Sequence, residues 1–265
     1  MNVYEPTAEE IQRFVETAVE AALAGGEVLR RWENRFTAQR KSPADFVTEA
    51  DFESQRTIYE LIRSRFPDHG FLGEENTEVR ETNSLFQWIV DPLDGTSNYV
   101  HRFPYYSVSV ALEYDGRLLA AAVFDPTRDE LFKAGAGLGA FLNDQPIQAK
   151  GAEDLNSALV IVSLPIRVER THPVIEDFLR VLERAQHLQR TGSAALNLAY
   201  IAAGRVDAYW SRSLHPWDMA AGALLVEEAG GRVTRCDGTP LNLRQHEILA
   251  TNGSAIHEQL RELLS

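Results

Sequence analysis

The sequence predicts a layered α/β (α+β) fold whose two lobes meet near residue 150, and three observations predict it. Apolar residues recur at helical spacing near the start, strand-like runs joined by tight turns follow, and strand and helix patterns alternate through the second half. The 265 residues, 44% of them hydrophobic, suffice for one large domain or two small ones. The expectation is one domain with lobes of about 1–150 and 151–265. No repeat or low-complexity tract interrupts it.

Residues 8–32 place Ile11, Phe14, Val15, Ala18, Val19, Ala22 and Leu23 on one helical face. A loop around Lys41-Ser42-Pro43 follows. Thr48 opens a second helix reaching about Phe66, with Phe52, Ile58, Leu61 and Ile62 inward and Thr48 and Asp51 at capping-box spacing. Pro67-Asp68-His69-Gly70 ends it. Residues 86–90 form a short apolar strand that stops at Asp91-Pro92. Residues 107–114 alternate, Asp115-Gly116 turns the chain, and 118–124 return as the hairpin partner. A strand over 130–134 precedes a glycine-rich turn and Asn143-Asp144. Beyond residue 155 the pattern gives strands at 158–164, 206–210, 232–235 and 248–251, and helices at 173–185, 194–203, 218–229 and 255–264.

The net charge of −13 argues against a nucleic-acid partner, which selects a basic face. A chain this acidic that binds phosphate needs a cation between its carboxylates and the ligand, or helix N-termini and a few basic residues. One cysteine, Cys236, excludes an internal disulfide framework and suits a reducing compartment. Residues 1–12 lack an apolar signal region, and no apolar run reaches the ~18 residues of a membrane span. A cytoplasmic protein with no membrane partner is expected.

The strongest chemical signal is Trp88-Ile89-Val90-Asp91-Pro92-Leu93-Asp94-Gly95-Thr96-Ser97-Asn98. A buried strand ends in one carboxylate, a second follows, and Gly95 allows the backbone to approach a ligand. Free N–H groups at a helix start bind phosphate oxygens. Two carboxylates beside such a cradle make electrostatic sense only with hard cations between them, and oxygen ligands favour Mg²⁺ or Mn²⁺ over zinc. Asp-Pro and Asp-Gly alone are more often solvated turns. Gly73-Glu74-Glu75 and Pro216-Trp217-Asp218 add carboxylates, each with a bland alternative as surface charge or a helix-dipole partner.

These segments, with Asp45-Phe46-Val47-Thr48-Glu49-Ala50-Asp51 and Met219-Ala220-Ala221-Gly222, resemble the inositol monophosphatase family of lithium-sensitive phosphatases over nearly the whole chain. The resemblance implies an αβαβα sandwich of the sugar-phosphatase type, a homodimer and two or three Mg²⁺ ions, with Mn²⁺ as an alternative. Glu74, Asp91 and the Leu93 carbonyl would hold the first ion, and Asp91, Asp94 and Asp218 the second. A third would lean on Glu74. Thr96 with Asp51 would position and deprotonate the attacking water, and the N–H groups of Gly95 and Thr96 would bind phosphate. Lys41 or Arg40 would supply a basic residue, and Gly192, Ser193, Ala194 and Asp218 would face the alcohol. A divalent cation lowers the pKa of water toward neutrality, so no nucleophilic side chain is needed.

One position departs from the pattern. Seven residues before Asp218, where the family usually has a glutamate on the substrate's hydroxyls, stands Ser211, followed by Arg212. Losing a charged hydrogen bond is worth about 1.5–3 kcal/mol, and a serine hydroxyl cannot supply it; Arg212 is a candidate for a second phosphate or a carboxylate. Inositol 1-phosphate is the first guess. Fructose 1,6-bisphosphate, histidinol phosphate and a nucleotide 3′-phosphate are the alternatives, and a non-catalytic regulator retaining the fold is the reading from another class. A dehalogenase-type phosphatase needs carboxylates two apart, whereas Asp91 and Asp94 are three apart. Gly135-Ala136-Gly137-Leu138-Gly139 lacks dinucleotide-binding spacing and reads as a strand turn.

Overall fold

The computed structural model describes residues 4–42, 45–75 and 84–265, without the side chains of Lys41, Ser42 and Asp45. In chain order its elements are α1 (Ala8–Trp32), β1 (Gln39–Ser42), β2 (Asp45–Val47), α2 (Glu49–Arg65), β3 (Gly70–Gly73), β4 (Phe86–Asp94) and α3 (Thr96–Val100). Strands β5 (Ser107–Tyr114), β6 (Arg117–Asp125), β7 (Glu130–Gly135), β8 (Gly139–Leu142) and β9 (Gln145–Pro146) follow. The second half comprises β10 (Leu159–Ser163), α4 (Pro173–Leu182), β11 (His187–Gln189), α5 (Ala194–Ala202), β12 (Ala208–Ser211), α6 (Pro216–Glu228), β13 (Arg232–Thr234), β14 (Ile248–Thr251) and α7 (Ile256–Leu264).

Three apolar clusters define five layers. Ala18 and Leu29 of α1 and Ile58 of α2 pack on Trp88, Val110 and Phe124 of a seven-stranded sheet ordered β3 to β9. The alternate residues of that sheet, Ile89, Ala111 and Val123, face α5 and α6. The same two helices pack on Ile161, Tyr209 and Ala250 of a five-stranded sheet ordered β11-β10-β12-β14-β13. Val160, Trp210 and Leu249 on its far face meet α4 and α7. The order is αβαβα, as the family resemblance implies.

Burial on both faces explains why β5 does not alternate as expected. Seven of its eight residues are buried, because helices cover each side of the sheet. The loop expected around Lys41 is instead the antiparallel hairpin β1–β2, and β3, β8, β9 and β11 are further short strands the residue pattern did not reveal. Both expected turns hold: Asp115-Gly116 and Asn143-Asp144 each place two residues at positive φ. The glycine run 135–139 is indeed the β7–β8 turn.

Helix α2 corrects another expectation. Phe52 is 40% exposed, and the inward face carries Asp51, Ser54 and Gln55 with Ile58 and Ile62. Polar side chains hold the 3.6-residue face that apolar ones usually take. Their partners lie in the site.

Candidate active site

Strand β4 brings the two aspartates of the motif together by a bulge. Asp91 pairs with Ser109 and Asp94 with Ser107, so three steps on β4 face two on β5. In a regular strand, residues three apart point to opposite faces; one extra residue returns Asp91 and Asp94 to the same side. Pro92 occupies the bulge, where its missing N–H breaks no ladder bond. The strand therefore runs on to Asp94, beyond the stop expected at Asp91-Pro92. The Ser54 hydroxyl on α2 donates to the Pro92 carbonyl at 3.0 Å and holds the bulge from below.

Asp218 arrives from the other half of the chain, at the third position of α6, where its carboxylate accepts the His215 N–H at 2.7 Å. Carboxylate oxygens of Asp91, Asp94 and Asp218 lie within 4.8 Å of one another. Asp94 also accepts the N–H groups of Ala194 and Ala195 at 3.1 and 2.8 Å and the Ser193 hydroxyl, so it caps the start of α5. Ser107 adds a hydroxyl at 3.4 Å. Glu74 follows β3, and its N–H donates to the Val90 carbonyl at 3.1 Å. Gln55 fixes the adjoining loop from both sides, donating to the Glu75 carbonyl and accepting the Glu75 N–H at 2.9 Å.

Electrostatics follow from burial. Asp91 is held well above the ordinary carboxylate range, first by burial and then by the charges of Glu74, Asp94 and Asp218. Asp218 is raised in the same way, by burial and by Asp94. Burial also raises Asp94, against the lowering effect of its bonds to Ser193, Ala195 and Ala194. Three clustered carboxylates offering only oxygen fit a hard divalent cation, which removes the repulsion that otherwise keeps them protonated.

Asp51 stands beside this cluster. It is fully buried, accepts the Thr48 N–H and hydroxyl at 2.8 and 2.7 Å, and is pushed up to about 7 by burial. The Thr96 hydroxyl lies 3.2 Å from Asp51 and 3.1 Å from the Leu93 carbonyl, so its single proton has two acceptors. Gly95 has φ +98°, and an added Cβ would meet the Tyr105 carbonyl at 3.1 Å. Only glycine fits there without strain. Asn98 then ties the two halves, donating to the carbonyls of Tyr105 and Thr191 at 2.7 and 2.9 Å.

A cleft of about 460 Å³ opens over these groups. Asp94, Gly95, Thr96 and Asp218 line it together with Gly192 and Ala194. A larger cleft of about 740 Å³, between Arg117, Glu227 and Arg244, contains none of the clustered carboxylates, so chemistry and not size selects the site. Ser193 lies behind the wall, its hydroxyl on Asp94. Ser211 is fully buried and donates to the Ser163 carbonyl at 3.0 Å. Arg212 departs from the expectation of a substrate contact. Its guanidinium turns to the outer helices, donating to Asp177 at 2.8 Å, Glu247 at 2.9 Å and the Leu264 carbonyl. The side chain of Lys41 lies outside the described residues; its neighbour Arg40 sits 5.8 Å over the ring of Phe46, which lines the cleft.

Sequence reasoning missed Ser54, Gln55, Asn98 and Ser107, which hold the cluster's supports. A signal for two of them exists: Ser54 and Gln55 share a helix face with Asp51 at three and four residues' spacing.

Comparison with known proteins agrees with this architecture. The sequence profile of the inositol monophosphatase family matches residues 10–265. An inositol-1-monophosphatase of Synechocystis sp. is 40% identical, over 99% of this chain and 92% of that protein. A Nus factor SuhB of Pseudomonas aeruginosa is 38% identical, over 91% of this chain and 92% of its own length. The solved inositol monophosphatase of Anabaena (Nostoc) sp. superposes with a TM-score of 0.86 at 40% identity, covering 96% of each chain. On profile, identity and fold together, the chain belongs to the inositol monophosphatase family.

Proposed function

We propose that the protein hydrolyses a small phosphate monoester with Mg²⁺ held by Asp91, Asp94 and Asp218, joined by Glu74 and the Leu93 carbonyl. Family membership carries the reaction class, a phosphoric monoester hydrolase. The observation that supports the metal assignment is the convergence of three carboxylates from β4 and α6 within 4.8 Å. Divalent cations bound there would neutralise phosphoryl charge and favour ionisation of water.

The chain's own groups supply position and proton handling. Asp51, raised to about 7, takes a proton near neutral pH, and Thr96 links it to the cleft. The N–H groups at the start of α3, beside Gly95, are free of intrahelical partners and suit phosphate oxygens. Asp94, anchored by α5, keeps the cluster rigid. Inositol 1-phosphate is the first substrate to test, on the names of the Synechocystis and Anabaena relatives. Lithium sensitivity, a homodimer and a cytoplasmic location complete the reading. Full activity in millimolar lithium, or a monomer in sedimentation, would count against the corresponding part.

The test is phosphate release from inositol 1-phosphate, fructose 1,6-bisphosphate, histidinol phosphate and adenosine 3′,5′-bisphosphate, with Mg²⁺ and with chelator. Mg²⁺-dependent release from one substrate is the expected result. The relatives named Nus factor SuhB favour a second reading, a regulatory role. A folded, metal-binding protein that turns over nothing on the panel would put that role first.

A further inference from the structure

We propose that the alcohol half of the substrate carries a second anionic group, received by Arg167 and Arg190. This rests on the phosphatase reading above and deepens it. Strands β10, β11 and β12 are parallel, with Ile161 opposite both Gln189 and Tyr209, so their C-terminal ends stop at one edge. The chain leaves β10 for α4 on the outer layer and leaves β11 for α5 in the middle layer. Such opposite departures open a crevice beyond the carboxyl ends of parallel strands, where ligands of α/β proteins bind. Arg167 follows β10, Arg190 follows β11, and both line the cleft that holds Asp94 and Asp218.

The charges of the cleft are divided. Its lining acids are Asp94 and Asp218, both in the metal cluster, and its lining bases are Arg167 and Arg190. Both arginines are exposed, and neither has an ion pair or hydrogen bond to another described residue. Arg212, by contrast, is committed to Asp177 and Glu247. The remaining polar groups on that wall include the serines Ser163 and Ser213. On the phosphatase reading, the reacting phosphate would be served by the cations and the N–H groups at α3, which leaves two guanidiniums for another group. A guanidinium grips a phosphate or a carboxylate through paired N–H bonds, so the shared chemistry is an oxyanion. The cleft's 460 Å³ holds more than one phosphate.

The test compares kcat/KM with Mg²⁺ for inositol 1-phosphate, fructose 1,6-bisphosphate and 3-phosphoglycerate, in the unaltered protein and in the Arg167→Ala/Arg190→Ala variant. Both side chains are exposed, so truncation leaves the core untouched. The expected result is that one doubly anionic substrate exceeds inositol 1-phosphate at least about tenfold, and that this ratio collapses by about tenfold in the variant. Preference for the bisphosphate identifies a second phosphate, and preference for 3-phosphoglycerate a carboxylate. Preference for inositol 1-phosphate, or equal losses on all three substrates, would overturn the proposal, the second outcome reducing the arginines to general attraction of phosphate. Calorimetric titration of the same ligands into Ca²⁺-loaded protein separates the two readings. Selective binding of the doubly anionic ligand without any turnover sinks the phosphatase reading alone. Turnover of inositol 1-phosphate without that selectivity sinks this inference alone.

Discussion

Asp91 is 2% exposed, accepts the Leu93 N–H at 3.0 Å and faces the charges of Glu74, Asp94 and Asp218. Without a cation its carboxylate is a liability, and with one it is a ligand. Asp91→Asn keeps the shape and removes the charge. Its expected effect is loss of at least about a thousandfold in turnover, since a bound cation stabilises the transition state by several kcal/mol. In chelator the variant should melt no lower than the parent, because neutral Asn relieves the repulsion. A fall in the melting temperature of the metal-free variant would mean that Asp91 is structural. Asp94 differs, because it also caps α5; its replacement costs about 0.5–2 kcal/mol as a lost helix cap, so activity and stability fall together there. Asp51 sets a pH dependence. A base must be deprotonated to accept a proton, so log kcat/KM should rise with pH up to a limb at or below about 7, the nearby cation pulling it down from the metal-free value. Asp51→Asn should abolish that limb along with most of the activity, and a limb that persists in the variant assigns the titration to another group.

Two elements show what placing the site demands. The β4 bulge turns Asp91 and Asp94 to one side, and the close approach of α5 and α6 sets Asp218 opposite them. At Gly222 an added Cβ would lie 2.4 Å from the Cβ of Leu198, a contact that flexing cannot relieve because it involves the root of the side chain. Gly222→Ala should therefore destabilise by about 1–3 kcal/mol through overpacking, read as a lowered denaturant midpoint, and should weaken Mg²⁺ by tilting Asp218. An unchanged midpoint would show that the helices separate freely. The carboxylates themselves were legible in the sequence because their motifs are compact: Asp91 and Asp94 lie three residues apart and Asp218 opens a helix. The supports were not, for physical reasons. Gln55 and Ser54 bond to backbone 20 and 38 residues away, and the helix face they share with Asp51 does not say which partners they take. Arg212 was misread because its partners, Asp177 and Glu247, each lie 35 residues off in sequence. Short strands such as β3 and β11 escaped notice for the same reason, since a three- or four-residue ladder is defined by its neighbour and not by its own composition.

At the scale of the molecule, the middle layer makes the halves interdependent. Helices α5 and α6, from the second half, complete the core of the first half's sheet, and the metal cluster draws Asp91 and Asp94 from one half and Asp218 from the other. We therefore propose that the lobes unfold as one unit and that Mg²⁺ stabilises both at once. The pH dependence of that stabilisation has a definite sign. Asp91, Asp94 and Asp218 are raised in the folded, metal-free protein above the ~3.9 of an unfolded aspartate, so folding takes up protons at the cluster. That contribution is fully present below the unfolded value and is lost as pH rises through the folded ones. The cation binds the deprotonated cluster, so its advantage grows over the same interval. His69 and His257, both lowered to about 4 by burial, act with the opposite sign, losing stability as pH falls from the ordinary histidine value, but equally with and without metal. The difference in melting temperature between Mg²⁺ and chelator should thus cancel the histidines and widen as pH rises above the ordinary aspartate range. Scanning calorimetry should show one peak that moves as a whole, with calorimetric and van't Hoff enthalpies equal. Two peaks, only one of them answering to Mg²⁺, would show that the lobes fold separately and that α5 and α6 do not couple them.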